Sequence, residues 1–189
     1  MAWEVIEMNR GIEKRLRALV GTGTWLEIHS DADDTEKFAL GSLVAADDRW
    51  ILLEGYDEDG GDDGYALRRI EDIVLVVDDS RYIRKVRALR GARGWSGQRI
   101  EPGDFEPLPC LLDFAMKSGA CVSVEIMNSG LSNASGRIRG YDADAVEIEQ
   151  IDLYGAADGI VYVPVDALTR IECGGADERR VARLIALQP

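Results

Sequence analysis

Histidine occurs once in this chain of 189 residues, at position 29, and cysteine three times, at positions 110, 121 and 173. One histidine cannot build a histidine-rich metal centre or a histidine-driven relay of several residues. The cysteine count is odd and has no CxxC spacing, which argues against a disulfide framework or a zinc ribbon and for free thiols in a reducing cytosol. No apolar run reaches the length of a membrane span, and Met1 to Arg15 lacks the apolar core of a signal peptide. The reading is therefore a cytoplasmic protein with no membrane partner. Positive charge is scarce: 22 Lys and Arg stand against 35 Asp and Glu, for a net charge of −13. Between residues 29 and 64 only Lys37 and Arg49 are basic. Such a surface repels free nucleic acid, whose binding rests on cationic contacts to phosphate.

What the chain does contain, it contains twice. Shifting residues 41–89 by ninety-five positions lays them on 136–184 without a gap. The identities are Gly41/Gly136, Asp47/Asp142, Glu54/Glu149, Asp57/Asp152, Gly60/Gly155, Asp63/Asp158, Gly64/Gly159, Arg84/Arg179, Val86/Val181 and Leu89/Leu184. Apolar class is kept at Leu43/Ile138, Ile51/Val146, Leu53/Ile148, Ile70/Val165, Ile73/Leu168 and Val76/Ile171. A repeat of this period means two copies of one small unit. The division is 1–89, a glycine-rich linker at 90–106, and 107–189.

Each copy reads as helix, five short strands, helix. Ile12, Leu16, Leu19 and Val20 form one apolar stripe of a first helix; Pro109 suits the first turn of its counterpart. Val122, Val124 and Ile126 alternate with polar residues, as a half-buried strand does. Further strands are expected near Gly41, at 50–55, 65–70 and 73–77, and at the matching places of the second copy. Asp47 and Asp142 mark tight turns, and 57–64 and 152–159 mark acidic hairpins. Asp79 and Asp177 are candidates for the start of each closing helix. Five short strands with one apolar face hide it by curling into a small barrel. The fold class is mainly β: two tandem five-stranded barrels, each flanked by helices.

The run Gly136, Ile138, Gly140, Tyr141, Asp142, Val146, Ile148 resembles the first signature of the Sm-like family. Gly159, Val161 to Val163, Val165 and Leu168 to Ile171 are similar to its fourth and fifth strands. The first copy keeps Gly41 and Asp47 and loses the aromatic residue. The resemblance implies strongly bent barrels that join edge to edge through their fourth and fifth strands into rings. A tandem chain would supply two ring positions, and three chains six. The family's RNA-contacting residues are absent: Ile51 and Val146 lie near the place of its Asn, and Arg69-Ile70 and Pro164-Val165 replace its Arg-Gly pair.

Several local features carry candidate chemistry. Asp57, Glu58, Asp59, Asp62 and Asp63 are hard-ligand types, but their spacing is not that of an EF-hand, and a solvated hairpin is the expectation; no metal or cofactor is assigned. His29 has no nucleophile motif around it and is expected as an exposed polar residue, so no catalytic residue is assigned and an enzyme is not expected. Arg81, Arg84, Lys85, Arg87, Arg90 and Arg93, with Arg99 and Trp95, form the basic stretch. It reads as a docking surface for an acidic protein face, as the solvent side of a helix, or as an RNA-binding strip with Trp95 for stacking. Trp25 and Trp50 are expected in a core or at a barrel rim, and Trp95 as a pin for the linker or a partner contact. The functional expectation is a non-catalytic assembly module that forms a homo-oligomer, with RNA association through the basic 81–99 stretch as the alternative and an enzyme with carboxylate chemistry ranked below it.

Overall fold

The computed structural model describes residues 2–34 and 36–188, with side chains from residue 11 onward. The chain runs α1 (Ala2–Leu19), β1 (Trp25–His29), β2 (Ala39–Ala46), β3 (Trp50–Tyr56), β4 (Asp62–Arg69), β5 (Leu75–Asp78) and α2 (Arg81–Arg90). It continues as α3 (Pro107–Ser118), β6 (Cys121–Ile126), β7 (Ala134–Tyr141), β8 (Ala145–Ile151), β9 (Ala157–Pro164), β10 (Leu168–Cys173) and α4 (Ala176–Ala186). No helix among the described residues is long and apolar enough to cross a membrane.

The repeat is visible down to its irregularities. Bulges interrupt β2 between Leu43 and Ala45 and β7 between Ile138 and Gly140. A second pair falls between Glu54 and Tyr56 and between Glu149 and Ile151. One 3-10 turn, Ile70–Asp72 or Val165–Ala167, separates the fourth strand of each half from the fifth. The Asp47 carboxylate accepts from the amides of Arg49 and Trp50, and Asp142 accepts from those of Asp144 and Ala145. Asp57 and Asp152 close the next hairpin in the same way. These aspartates recur because each caps a turn.

Each half has the same antiparallel ladder, fifth strand, first, second, third, fourth, but the halves are not separate. All ten strands form one continuous sheet in the order β5-β1-β2-β3-β4-β10-β6-β7-β8-β9. This corrects the expectation of two tandem closed barrels: the sheet does not close, and β5 and β9 are its two free edges. The physical reason is that β4 satisfies its outer backbone groups on β10, the fifth strand of the other half, instead of curling back to its own β5.

The core follows that join. Strand β3 is buried along its whole length. Its Ile51 and Leu53 face Leu16 of α1, with Leu26, Ile28 and Leu43. Its Trp50 and Leu52 face Leu108, Leu111, Leu112 and Ala115 of α3, in a cluster that also holds Val124, Ile148 and Ile171 of the second half. Helix α3 thus covers the second half and the outer face of the first together. Strand β8 has no such outer cover, and only Val146 and Ile148 of it are buried. Residues 91–106 are stitched down as well: Arg99 pairs with buried Glu54 at 2.8 Å, the Ile100 amide donates to Tyr65 Oη at 2.7 Å, and the Gly103 amide donates to Val44 O.

Helix α2 starts at Ser80, whose Oγ accepts from the Ile83 amide at 3.0 Å. Asp79, expected at that cap, sits one residue earlier with φ of 48° and pairs with Arg84. His29, expected to be exposed, is 6% exposed. It lies at the end of β1, paired with Leu75 of β5, with Phe38 tilted over its ring and Glu27 3.9 Å away. Trp25 and Trp50 are buried, and the side chain of Trp3 lies outside the described residues.

Candidate assembly interface

The joint between β4 and β10 is built from backbone first. Arg68 lies opposite Arg170, Leu67 opposite Ile171, Ala66 opposite Glu172 and Tyr65 opposite Cys173. At its top Gly64, with φ of 68°, lets β4 run against the start of α4; a Cβ there would lie 2.5 Å from the Gly175 amide nitrogen and would also meet Cys173 O. Beside it, Asp63 Oδ1 accepts from the Ala176 amide at 2.7 Å, at the first turn of α4, with Arg179 3.8 Å away. A carboxylate in this place satisfies free N–H groups and meets the positive end of the helix. Burial still pushes the Asp63 carboxyl above its ordinary value, because the donated hydrogen bond and Arg179 do not fully offset desolvation.

Three arginines of the first half stitch the rest. Buried Arg68 pairs with Glu172. Arg49 reaches Asp166 at 2.7 Å and Val165 O at 3.3 Å, and Arg69 donates to Asp166 O at 2.7 Å. At the bottom, Asn128 donates to Asp72 at 2.9 Å. Burial raises the Asp72 carboxyl as well, with that hydrogen bond working against it.

The free edges carry the two complementary halves of the same joint. By the ninety-five-residue shift, β9 occupies the place of β4 and β5 the place of β10. Ile160 and Tyr162 stand where buried Tyr65 and Leu67 stand in the joint, yet they are 45% and 66% exposed. On β5, Leu75 is 46% exposed, and so is Val74 just before it. Between this edge and α1 runs a mostly apolar groove of about 340 Å³, lined by Ile12, Leu16, Leu19, Leu26, Leu75 and Val76 and also by the charged Arg15 and Asp78. Its counterpart between α3 and β10 is filled by the first half, where Tyr65 packs its ring edge-on against Phe114 at 5.0 Å. No family model, curated protein or solved structure matches the chain.

The other expected sites are taken up by the fold. In the acidic hairpin, Asp57 caps its own turn, Asp63 caps α4, and Asp62 is held by Arg90 at 2.8 Å and by the Ser96 amide and hydroxyl. Burial pushes Asp62 up, but those donors outweigh it and hold the carboxyl below its ordinary value. Among the described residues no cluster of three His, Cys, Asp or Glu side chains is placed to hold a metal.

The basic stretch does not present one free face. Arg84 binds Asp79, Arg90 lies 4.6 Å above the Tyr56 ring besides holding Asp62, and Arg93 donates to the carbonyls of Asp59 and Leu89. Arg87 stacks over Trp25 and Lys85 over Tyr82. Trp95 leans on Tyr56 and Tyr65 and so pins the linker. Docking of basic helix on acidic hairpin, expected between chains, takes place inside one chain. The three thiols are free, and burial pushes that of Cys173 up to about 12.

Sequence reasoning missed the arginine stitches. The available signal was Arg68 directly after the apolar run Tyr65–Leu67, matched in the second copy by Val163: a buried cation needs a carboxylate, and its loss in one copy marks a place where the copies meet different neighbours.

Proposed function

We propose that this protein is a non-catalytic assembly module of Sm-like build, whose chains join head to tail through β9 of one and β5 of the next. The observation that carries the reading is the β4·β10 joint inside the chain, together with the two edges left over. An unpaired edge strand is a template for another, and here each edge has the shape its opposite number already pairs with. Repeating one joint by a constant rotation gives a heterologous contact, which closes into a ring when the rotation closes. With two units per chain, three chains give the six-unit ring that the Sm-like resemblance implies.

The support for the Sm-like build is the shared strand order of the two halves, the helix before each half, and the matching bulges and 3-10 turns. The support for assembly is the exposed apolar pair Ile160 and Tyr162 and the empty groove at α1. RNA association is the weaker reading, because most of the basic stretch is already bound to the chain's own carbonyls, carboxylates and rings. Light scattering coupled to size exclusion tests the proposal. A threefold mass that falls to one chain on Tyr162→Lys supports it; a single-chain mass across a hundredfold range of concentration overturns it.

A further inference from the structure

The joint inside the chain and the joint between chains differ in charge, and the difference is written in the repeat. Resting on the edge-pairing reading above, we infer that the joint between two copies of this chain is opposed by like charges and is strengthened by salt, whereas the joint within the chain is held by opposite charges.

The mapping is residue by residue. Arg49, which binds Asp166, becomes Asp144; Asp166 becomes Glu71. Attraction at that rim position thus turns into a carboxylate facing a carboxylate, the second of which, Glu71, is also held by Arg69 of its own chain at 2.8 Å. Arg68 and Glu172 become Val163 and Val77, an apolar pair. Arg69, the donor to Asp166 O, becomes Pro164, which offers nothing to a carbonyl. Cys173 becomes Asp78 on the free edge itself. Of the charged contacts only Asp63–Arg179 is preserved, as Asp158 and Arg84. All three arginine stitches are gone and the centre of the joint is apolar; the rim at Asp144 and Glu71 is acidic, while the other rim keeps Asp158 facing Arg84, with Arg81 in the place of Ala176.

Strand edges are commonly guarded by charge against uncontrolled pairing. The guard here is a rim repulsion that counter-ions can screen, since exposed charges more than about 10 Å apart barely interact at 0.1 M salt. Apolar burial at the centre is not weakened by salt. Both trends run the same way, opposite to a joint built on salt bridges.

The substitution that tests this already exists in the chain. Asp144 and Arg49 occupy the same turn: each is followed by a residue whose amide binds the capping aspartate, and each carbonyl accepts from the start of the next 3-10 turn. Asp144→Arg therefore restores the residue of the internal joint on a backbone that accepts it. Glu71→Gln removes the carboxylate from the opposite side without setting a second cation against Arg69.

Sedimentation equilibrium of the full chain is measured between 20 mM and 500 mM sodium chloride. Unmodified protein associates more tightly as salt rises. Each single variant associates roughly three- to tenfold more tightly than unmodified protein at low salt, while Glu58→Arg, a charge-matched change away from both edges, gains less. The double variant Asp144→Arg/Glu71→Gln removes the partner of the new cation and loses part of the gain made by Asp144→Arg. Assembly that weakens with salt, or single variants no tighter than Glu58→Arg, overturns this inference and leaves edge pairing standing. Absence of association in every variant at every salt concentration overturns both.

Discussion

Arg68→Ala is the sharpest probe of the joint that sets the two repeats in one sheet. The Arg68 side chain is 6% exposed and that of its partner Glu172 is 31% exposed. Removing the cation leaves a carboxylate next to an apolar cluster, and breaking a buried pair on one side costs about 3–5 kcal/mol. Glu172 retains partial access to water and has Arg170 4.0 Å away, so the cost falls to about 2–4 kcal/mol. For a chain of this size that is a drop of roughly 4–16 °C in the unfolding midpoint. Urea unfolding should be followed by two probes. All four tryptophans, at 3, 25, 50 and 95, precede the second repeat. Fluorescence therefore reports the first half and the linker, while far-ultraviolet circular dichroism reports both halves. The shared core of α3 with β3 and β10 predicts coincident transitions, before and after the substitution. Arg68→Met/Glu172→Met, which removes both charges, recovers most of the loss. Two separated transitions in the unmodified protein, or a loss under about 0.5 kcal/mol in Arg68→Ala, would refute the reasoning.

Further expectations follow from single contacts. Gly64→Ala forces a Cβ onto the backbone at Cys173–Gly175 in a left-handed conformation and should cost about 2 kcal/mol or more in chemical denaturation. Ser80→Ala removes the cap of α2 and should cost about 1 kcal/mol. Glu178 is 4% exposed, and burial raises its carboxyl above the ordinary value. Its folded pKa lies above its unfolded one, so the unfolded chain ionises first as pH rises; stability falls through that window and stays lowered above it. Glu178→Gln should therefore raise the midpoint at pH 7, with the gain disappearing below the unfolded pKa of about 4.3. Asp62 has the opposite sign: its lowered pKa contributes stability above the unfolded value and loses it in acid, so the 91–106 segment should become protease-sensitive as pH falls.

Local structure was largely legible in the sequence, because it rests on local chemistry. Asp47, Asp57, Asp142 and Asp152 mark turns that their own side chains close, and β3 and β8 run within a residue of the expected bounds. The alternation at Val122 to Ile126 gave β6. What periodicity cannot carry is the neighbour. Nothing in the pattern of β4 distinguishes pairing with β5 from pairing with β10, and the same residues serve either. His29 looked exposed because one polar residue at a strand end usually is; the Phe38 ring and the pairing with β5 lie against it. The basic stretch looked available because several of its partners lie far along the chain: Trp25 under Arg87, Tyr56 and Asp62 at Arg90, and the Asp59 carbonyl at Arg93. In the joint, identical pairs such as Asp63/Asp158 and Arg84/Arg179 were visible as repetition, but their common purpose emerges only when one pair is seen in contact.

Cysteine cross-linking of the two free edges tests edge pairing most directly. The internal register sets Cys173 opposite Tyr65, which transfers to Asp78 of one chain opposite Ile160 of the next, both exposed. In a Cys110→Ser background, Asp78→Cys/Ile160→Cys should give disulfide-linked oligomers on mild oxidation, ending at three chains when the ring closes. Each single-cysteine control should stay unlinked or stop at two chains. A double-cysteine protein that remains monomeric and reduced at every concentration would contradict head-to-tail pairing in this register.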